Sequence, residues 1–63
     1  MRVIGTLNLK VQFQVVEDAE GQPGIIYAVV GQGSDHTDDA DSAVNGVREI
    51  IDRKLVKFLE SLD

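Results

Sequence analysis

The chain contains no cysteine and only one histidine, His36, among its 63 residues. This composition excludes disulfides and the zinc sites that are built from clustered Cys and His ligands. A domain of this size buries only roughly 60% of its unfolded surface, so it usually needs a disulfide, a metal ion or a partner chain for stability. Because the composition excludes a disulfide and such a zinc site, it favours stabilisation by a second subunit.

Positive charge and long apolar runs are also scarce. Eleven acidic residues outnumber six basic ones, which gives a net charge of −5. Nucleic-acid binding requires clustered Lys and Arg that neutralise phosphates, so neither DNA nor RNA is an expected partner. No segment approaches the roughly 20 apolar residues of a membrane span, and the N-terminus lacks the apolar run of a signal peptide. We therefore expect a soluble cytoplasmic protein without membrane association.

The clearest pattern lies in the first quarter of the chain, where apolar and polar residues alternate over residues 2–16. The odd positions of this segment are Val3, Gly5, Leu7, Leu9, Val11, Phe13 and Val15. A period of two is typical of a β-strand with one buried side and one solvent-facing side. The pattern predicts one long strand over residues 2–16.

The next three segments differ sharply in polarity. Residues 17–24 contain four charged or amide side chains, two glycines and the only proline, which is typical of a hairpin loop. Residues 25–31 are apolar on both sides and predict a second strand, covered on two sides or in contact with another subunit. Residues 32–38 are polar and predict a loop.

The last segment, residues 39–62, has the periodicity of an amphipathic helix. Its apolar seam, spaced by three and four residues, consists of Val44, Val47, Ile51, Leu55, Phe58 and Leu62. Ala43, Ile50 and Leu59 widen the seam on one flank, and Val56 extends it on the other. Thr37, Asp39 and Asp41 are the candidates for the N-cap. Gly46 is unfavourable within this helix, because a glycine in a helix interior lowers helix stability by up to about 1 kcal/mol relative to alanine.

Together these elements predict a single α+β domain over residues 1–63 with the order β-β-α. A long antiparallel hairpin would be packed by one C-terminal amphipathic helix. The first strand is about twice as long as the second, so residues 2–8 lack a partner within the chain. Because unpaired strand edges recruit other chains, we predict that two copies pair through residues 2–8 and complete the sheet with two-fold symmetry. The alternative is a bulge at Gly5 that folds the strand back and leaves a monomer.

Few residues have the chemistry that catalysis requires. The hydrolytic candidates are Ser34 or Ser42 with His36, but a loop does not orient a base well. We expect no catalytic residues, no cofactor and no enzymatic activity. The chain therefore has the composition of a binding protein.

The acidic residues before the helix have the alternating spacing that begins a calcium-binding EF-hand loop, from Asp35 to Asp41. However, the sixth position is Ala40 where the motif has Gly, and the twelfth is Gly46 where it has Glu. Helix capping explains these acids better, and we expect no metal site.

The polar segment nevertheless offers groups for ligand recognition. We predict that the ligand-binding residues are Gln32, Ser34, His36, Thr37 and Arg48. The glycines at 31 and 33 precede a helix, but they lack the spacing and the lysine of phosphate-binding loops. An anionic ligand would then need Arg2, Lys10 or Arg48 for neutralisation.

Three functions are compatible with this composition. The first is a non-catalytic homo-oligomer that sequesters a small ligand, such as a nucleotide, at subunit interfaces. The second is an inhibitor or adaptor that binds another protein through its acidic surface or a strand edge. The third, a minimal enzyme, has the least support from the residues. In size and layout the chain resembles small accessory proteins of bacteriophages, some of which capture a partner or a nucleotide signal, and the resemblance implies a similar role.

Overall fold

The computed structural model describes residues 1–62. Three strands, β1 (Val11–Glu17), β2 (Pro23–Val29) and β3 (Gly33–Thr37), precede one helix, α1 (Ala40–Ser61). The strands form one antiparallel sheet in the order β1-β2-β3, and α1 packs against β2 and β3 on one face of it. The predicted α+β class with a C-terminal helix is confirmed. The element order is β-β-β-α, because the chain contains a third strand that the sequence pattern did not indicate.

A short turn joins β1 to β2 at one end of the sheet. The side chain of Asp18 accepts hydrogen bonds from the backbone N–H groups of Glu20 and Gln22, both at 2.9 Å. Asp and Asn side chains commonly close turns in this way. Only residues 18–22 are needed for the turn, so the predicted loop over residues 17–24 is too long at both ends.

The central strand β2 runs over Pro23–Val29, two residues earlier at each end than the predicted strand over residues 25–31. Proline is tolerated here because it is the first residue of the strand. Val29 is buried under α1, whereas Ile26 and Ala28 on the other face are half-buried with no element above them. Within residues 1–62, α1 therefore covers one face of β2, and the cover expected on its second face is not present.

The predicted loop over residues 32–38 was wrong, because Gly33–Thr37 pairs with β2 as an edge strand. The turn that joins β2 to β3 is tight. The backbone N–H of Gln32 donates to the Val29 carbonyl at 2.9 Å, and Gly31 adopts a φ of 79°. A positive φ of this kind favours glycine. The sequence concealed β3 because a strand that is polar on both sides has no alternation to detect.

The predicted strand over residues 2–16 is regular only from Val11 onward. Strand β2 ends at Val29, which lies opposite Val11. One further hydrogen bond joins the two segments, donated by the Val30 N–H to the Lys10 carbonyl at 2.9 Å. Residues 1–10, hereafter the N-terminal arm, contain no turn or bend and form no other hydrogen bond within the described chain. The arm has strand-like alternation but no neighbouring strand.

The arm lies along the C-terminal half of α1. A Cβ atom at Gly5 would be 3.0 Å from side-chain atoms of Phe58 and Leu62, so the backbone approaches the helix closely there. Leu9 packs against the core. The arm continues past Gly5 without folding back, so the alternative of a bulge at this residue is not adopted.

The core is small for a folded domain. Its buried apolar residues are Val29, Ala43, Val47 and Ile50. Leu9, Tyr27 and Ile51 are partly buried around them. Most of the apolar side chains that the sequence assigns to the interior are therefore not enclosed by this single chain.

The buried side of α1 is displaced toward one flank of the predicted apolar seam, where Ala43 and Ile50 lie. Val44, Leu55 and Leu62 belong to the seam, yet they are between 39% and 49% exposed. At about 100° per residue, the centre of the seam lies roughly 80° around the helix from the centre of the buried residues. The exposed part of the seam faces the side of the arm and β1, because α1 rests on β2 and β3 instead.

The helix itself agrees with the prediction over residues 39–62, since Ala40–Ser61 is helical and the flanking residues are its caps. Among the three N-cap candidates, Asp39 fills the position. Its side chain accepts hydrogen bonds from the Ser42 backbone N–H at 2.9 Å and from the Ser42 hydroxyl at 2.8 Å. These bonds lower the pKa of the Asp39 carboxyl below its usual value of 3.8.

The Asp39 cap predicts how stability depends on pH. A lowered pKa in the folded state means that ionised Asp39 stabilises the helix above the usual value of 3.8 and loses this effect as the pH falls through the folded value. Asp39→Asn keeps a capping oxygen but does not ionise. We expect the thermal midpoints of the wild type and Asp39→Asn, measured by circular dichroism, to differ at neutral pH and converge in acid. Asp52→Asn, at an exposed mid-helix position, should not reproduce this convergence, and a gap independent of pH would contradict the assignment.

Gly46 is explained by Tyr27. The tyrosine ring lies against the helix backbone, where a Cβ atom at Gly46 would overlap ring atoms of Tyr27. Overpacking costs about 1–3 kcal/mol, which outweighs the gain of up to about 1 kcal/mol in helix propensity.

We therefore expect Gly46→Ala to lower the free energy of unfolding by about 1 kcal/mol, measured by urea denaturation. The exposed neighbour Asn45 is the matched control, and Asn45→Ala should be neutral or slightly stabilising. A Gly46→Ala variant at least as stable as the wild type would show that the ring does not need this space.

Candidate functional site

Four of the five predicted ligand-binding residues lie on or next to β3: Gln32, Ser34, His36 and Thr37. Residue Gly33 faces the helix, since a Cβ atom there would be 3.6 Å from Ile50. Alternate residues of a strand point to opposite faces, so Ser34 and His36 point away from the helix and Thr37 points toward it. The four side chains are therefore divided between the two faces of the edge strand.

The fifth predicted residue, Arg48, lies on another side of the molecule. The flank of α1 that borders β3 carries Gly46, Glu49 and Arg53. Arg48 is roughly 160° around the helix from Gly46, given about 100° per residue. It therefore lies on the flank toward β1, and a single chain does not bring it together with His36.

His36 and the two serines do not form a catalytic arrangement. The His36 side chain is 84% exposed, and its Nδ1 atom lies 3.6 Å from a carboxylate oxygen of Asp35. Within residues 1–62, neither Ser34 nor His36 forms a side-chain hydrogen bond that would orient a nucleophile against a base. The hydroxyl of Ser42 donates to the helix cap. The geometry gives no support to hydrolysis.

A cleft of about 490 Å³ opens at the end of the sheet that holds the β1–β2 turn. Its lining includes His36, but also the carboxylates of Glu17, Asp18 and Asp38. Nearby negative charges disfavour an anionic ligand. Among the residues that the structure describes, no three acidic or histidine side chains come close enough together to hold a metal ion.

A smaller groove of about 190 Å³, hereafter the basic groove, lies between the β2–β3 turn and α1. Its lining residues are Gln32, Ile50, Arg53, Lys54 and Lys57. Of these residues, only Gln32 was predicted to bind a ligand, and the cations predicted for an anionic ligand, Arg2, Lys10 or Arg48, do not line this groove. The sequence feature that could have predicted this groove is the four-residue spacing of Arg53 and Lys57. This spacing places two basic residues on one helix face without an acid between them on that face.

Several apolar side chains remain uncovered on the side of β1. Val11 is opposite Val29 in the sheet, and directly opposed residues share a face, so Val11, Phe13 and Val15 point to the same face as α1. The helix does not cover them: Phe13 is 48% exposed and Val15 is 77% exposed. Together with the exposed seam residues Val44 and Leu55, these side chains form what we term the apolar strip.

The total exposed area is large for the mass of the chain. A folded monomer of 6.9 kDa exposes about 4,000 Å² on average, whereas this chain exposes 5148 Å². The difference, on the order of 1,000 Å², is similar to the roughly 800 Å² that each partner buries in a standard interface. The uncovered surface is therefore large enough for a specific interface.

Comparison with known proteins does not add a function. No family model, no curated protein and no solved structure matches the chain. Residues 1–62 include no helix with the length and apolar character needed to cross a membrane. The candidate functional surfaces are thus the N-terminal arm with the apolar strip, and the basic groove at the opposite edge of the sheet.

Proposed function

We propose that the protein is a non-catalytic binding protein that acts as a homodimer, in which two N-terminal arms pair as antiparallel strands. The proposal rests on residues 2–9, which have the pattern of a strand but no neighbouring strand. They form no hydrogen bond in the described chain, yet their alternation and the partial burial of Leu7 and Leu9 are those of a strand. A second copy supplies the missing neighbour.

The two edges of the sheet differ in a way that supports this pairing. Strand β3 is short, is polar throughout and carries Asp35 and His36, which are features that protect an edge from association. The edge formed by β1 and the arm is long and apolar on its helix-facing side, and the arm contains no proline. An edge of this kind recruits a strand unless it is blocked.

In the proposed dimer, the backbone of β1 determines which side of the arm would pair. In an antiparallel strand, the N–H and C=O groups of one residue point to the same edge, and those of the next residue point to the opposite edge. The Lys10 carbonyl points toward β2, because it accepts a hydrogen bond from Val30. If the arm continues the alternation of β1, odd-numbered residues such as Leu7 direct their backbone groups to the free edge.

A two-fold axis perpendicular to the sheet would place both helices on the same face. The apolar strips of the two copies would then approach each other beneath the paired arms, which reduces the exposure of Phe13 and of the seam on α1. A closed symmetric dimer is also the commonest arrangement for such assemblies. One contact thus provides backbone partners and apolar cover together.

The same free edge supports a second candidate function. A strand from a different protein pairs with a free edge through the same backbone hydrogen bonds, which is the usual mode of strand addition. The chain would then be an inhibitor or adaptor. The two functions differ in the behaviour of the isolated protein, since only the homodimer forms without another component.

We expect sedimentation equilibrium of the wild type to give twice the 6.9 kDa mass of one chain at micromolar concentration. Leu7→Pro removes a backbone N–H on the free edge, once in each subunit. Two lost hydrogen bonds at about 1 kcal/mol each should weaken dimerisation roughly thirtyfold. Thr6→Pro is the matched control, because it carries the same ring but its N–H points toward the side of β2.

Leu7→Ala separates the loss of the side chain from the loss of the N–H, and it should affect dimerisation less than Leu7→Pro. If Thr6→Pro dissociates the dimer and Leu7→Pro does not, the arms pair through the other edge. A wild-type protein that remains a single 6.9 kDa species at all accessible concentrations would overturn the homodimer and favour the adaptor.

A further inference from the structure

The basic groove concentrates positive charge in an acidic protein. Arg53, Lys54 and Lys57 are three of the six basic residues, and all three line this one groove, although the net charge of the chain is −5. Gln32 faces them from the β2–β3 turn. The groove lies at the edge of the sheet opposite to the N-terminal arm, and one chain supplies all of its residues.

The position of these cations is fixed by the core. Ile50 is buried, and Arg53, Lys54 and Lys57 follow it by three, four and seven residues, so they extend from the same side of α1. Lys54 is half-buried. The turn is held close to the helix, since a Cβ atom at Gly33 would contact Ile50 at 3.6 Å. The three basic side chains therefore start from one side of α1, next to the β2–β3 turn.

The three cations have no anionic partner in the described chain. Among residues 1–62, none of them forms an ion pair or a side-chain hydrogen bond. Asp35 and Glu49 line a neighbouring groove that Arg53 also borders, but neither pairs with it. Like charges at this spacing on one helix repel each other, and an anion placed between them would relieve that repulsion.

We propose that the basic groove binds the polyphosphate group of a small phosphorylated ligand. An arginine guanidinium binds phosphate oxygens in a bidentate manner, so Arg53 would orient the ligand, and Lys54 and Lys57 would neutralise its remaining charge. The Gln32 carboxamide would donate to a further oxygen. The groove has a volume of about 190 Å³, which is enough for a diphosphate group. This inference names the ligand class of the proposed binding protein, and it does not depend on dimerisation.

The test is an NMR titration of the ¹⁵N-labelled protein with inorganic pyrophosphate at constant ionic strength. We expect saturable shifts at residues 31–33, including the side-chain amide of Gln32. The double variant Arg53→Gln with Lys57→Gln should weaken binding roughly tenfold or more. The matched control, Lys10→Gln with Arg48→Gln, removes the same number of charges elsewhere and should bind pyrophosphate nearly as well as the wild type.

Shifts that do not saturate, or equal weakening in both double variants, would show a general charge effect and overturn the site. A parallel titration with ADP identifies the source of the group: equal affinity means that the diphosphate alone is recognised, and tighter binding of ADP means that a nucleotide is the carrier. Pyrophosphate binding by Leu7→Pro separates the two proposals, because the groove should bind pyrophosphate whether or not this variant dimerises. Loss of binding in monomeric Leu7→Pro would overturn a site formed by one chain.

Discussion

The mismatch in length between the first strand and its neighbour determines most of this structure. The turn at Gly31 reverses the chain just after Val29, so β2 offers backbone partners only as far as Val11 and Lys10. Everything before Lys10 must lie elsewhere or remain unpaired. The arm follows the helix because the helix is the only other element on that side, and helices offer no backbone groups to a strand. The arm therefore has apolar contacts without hydrogen bonds.

A second deficit lies in the same region. The helix is placed over β2 and β3 by the contacts of Val29, Val47 and Ile50, and by the ring of Tyr27 against Gly46. This placement leaves the outer half of the apolar seam facing the uncovered side of β1. Unpaired backbone and uncovered apolar side chains arise for separate reasons, yet both lie at one edge. In the proposed dimer, a single interface would satisfy both.

The sequence predicted the elements whose signals are local. The helix was placed to within one residue at each end, because its seam and its cap are encoded by nearby residues. Strand β3 was missed because its strand state depends on the neighbour β2 and not on its own polar sequence. The arm was predicted as a strand from a real alternation, but a strand also needs a partner. Arg48 was wrongly grouped with His36, because the rotation of α1 on the sheet depends on tertiary contacts that the sequence pattern does not reveal. The observed rotation brings Arg53 and Lys57 beside Gln32 instead.

The opposite character of the two sheet edges separates assembly from recognition. If the arms pair, the apolar edge becomes the centre of the dimer, and each polar β3 edge with its basic groove becomes an outer end. Ligand sites built from one chain at the outer ends would not compete with the interface for residues or for space. A ligand bound there would influence dimerisation through α1, which borders both surfaces, or through the paired strands that connect the two edges. In this arrangement the second subunit supplies stability and the single chain supplies specificity, which reverses the expectation from sequence that ligands bind between subunits.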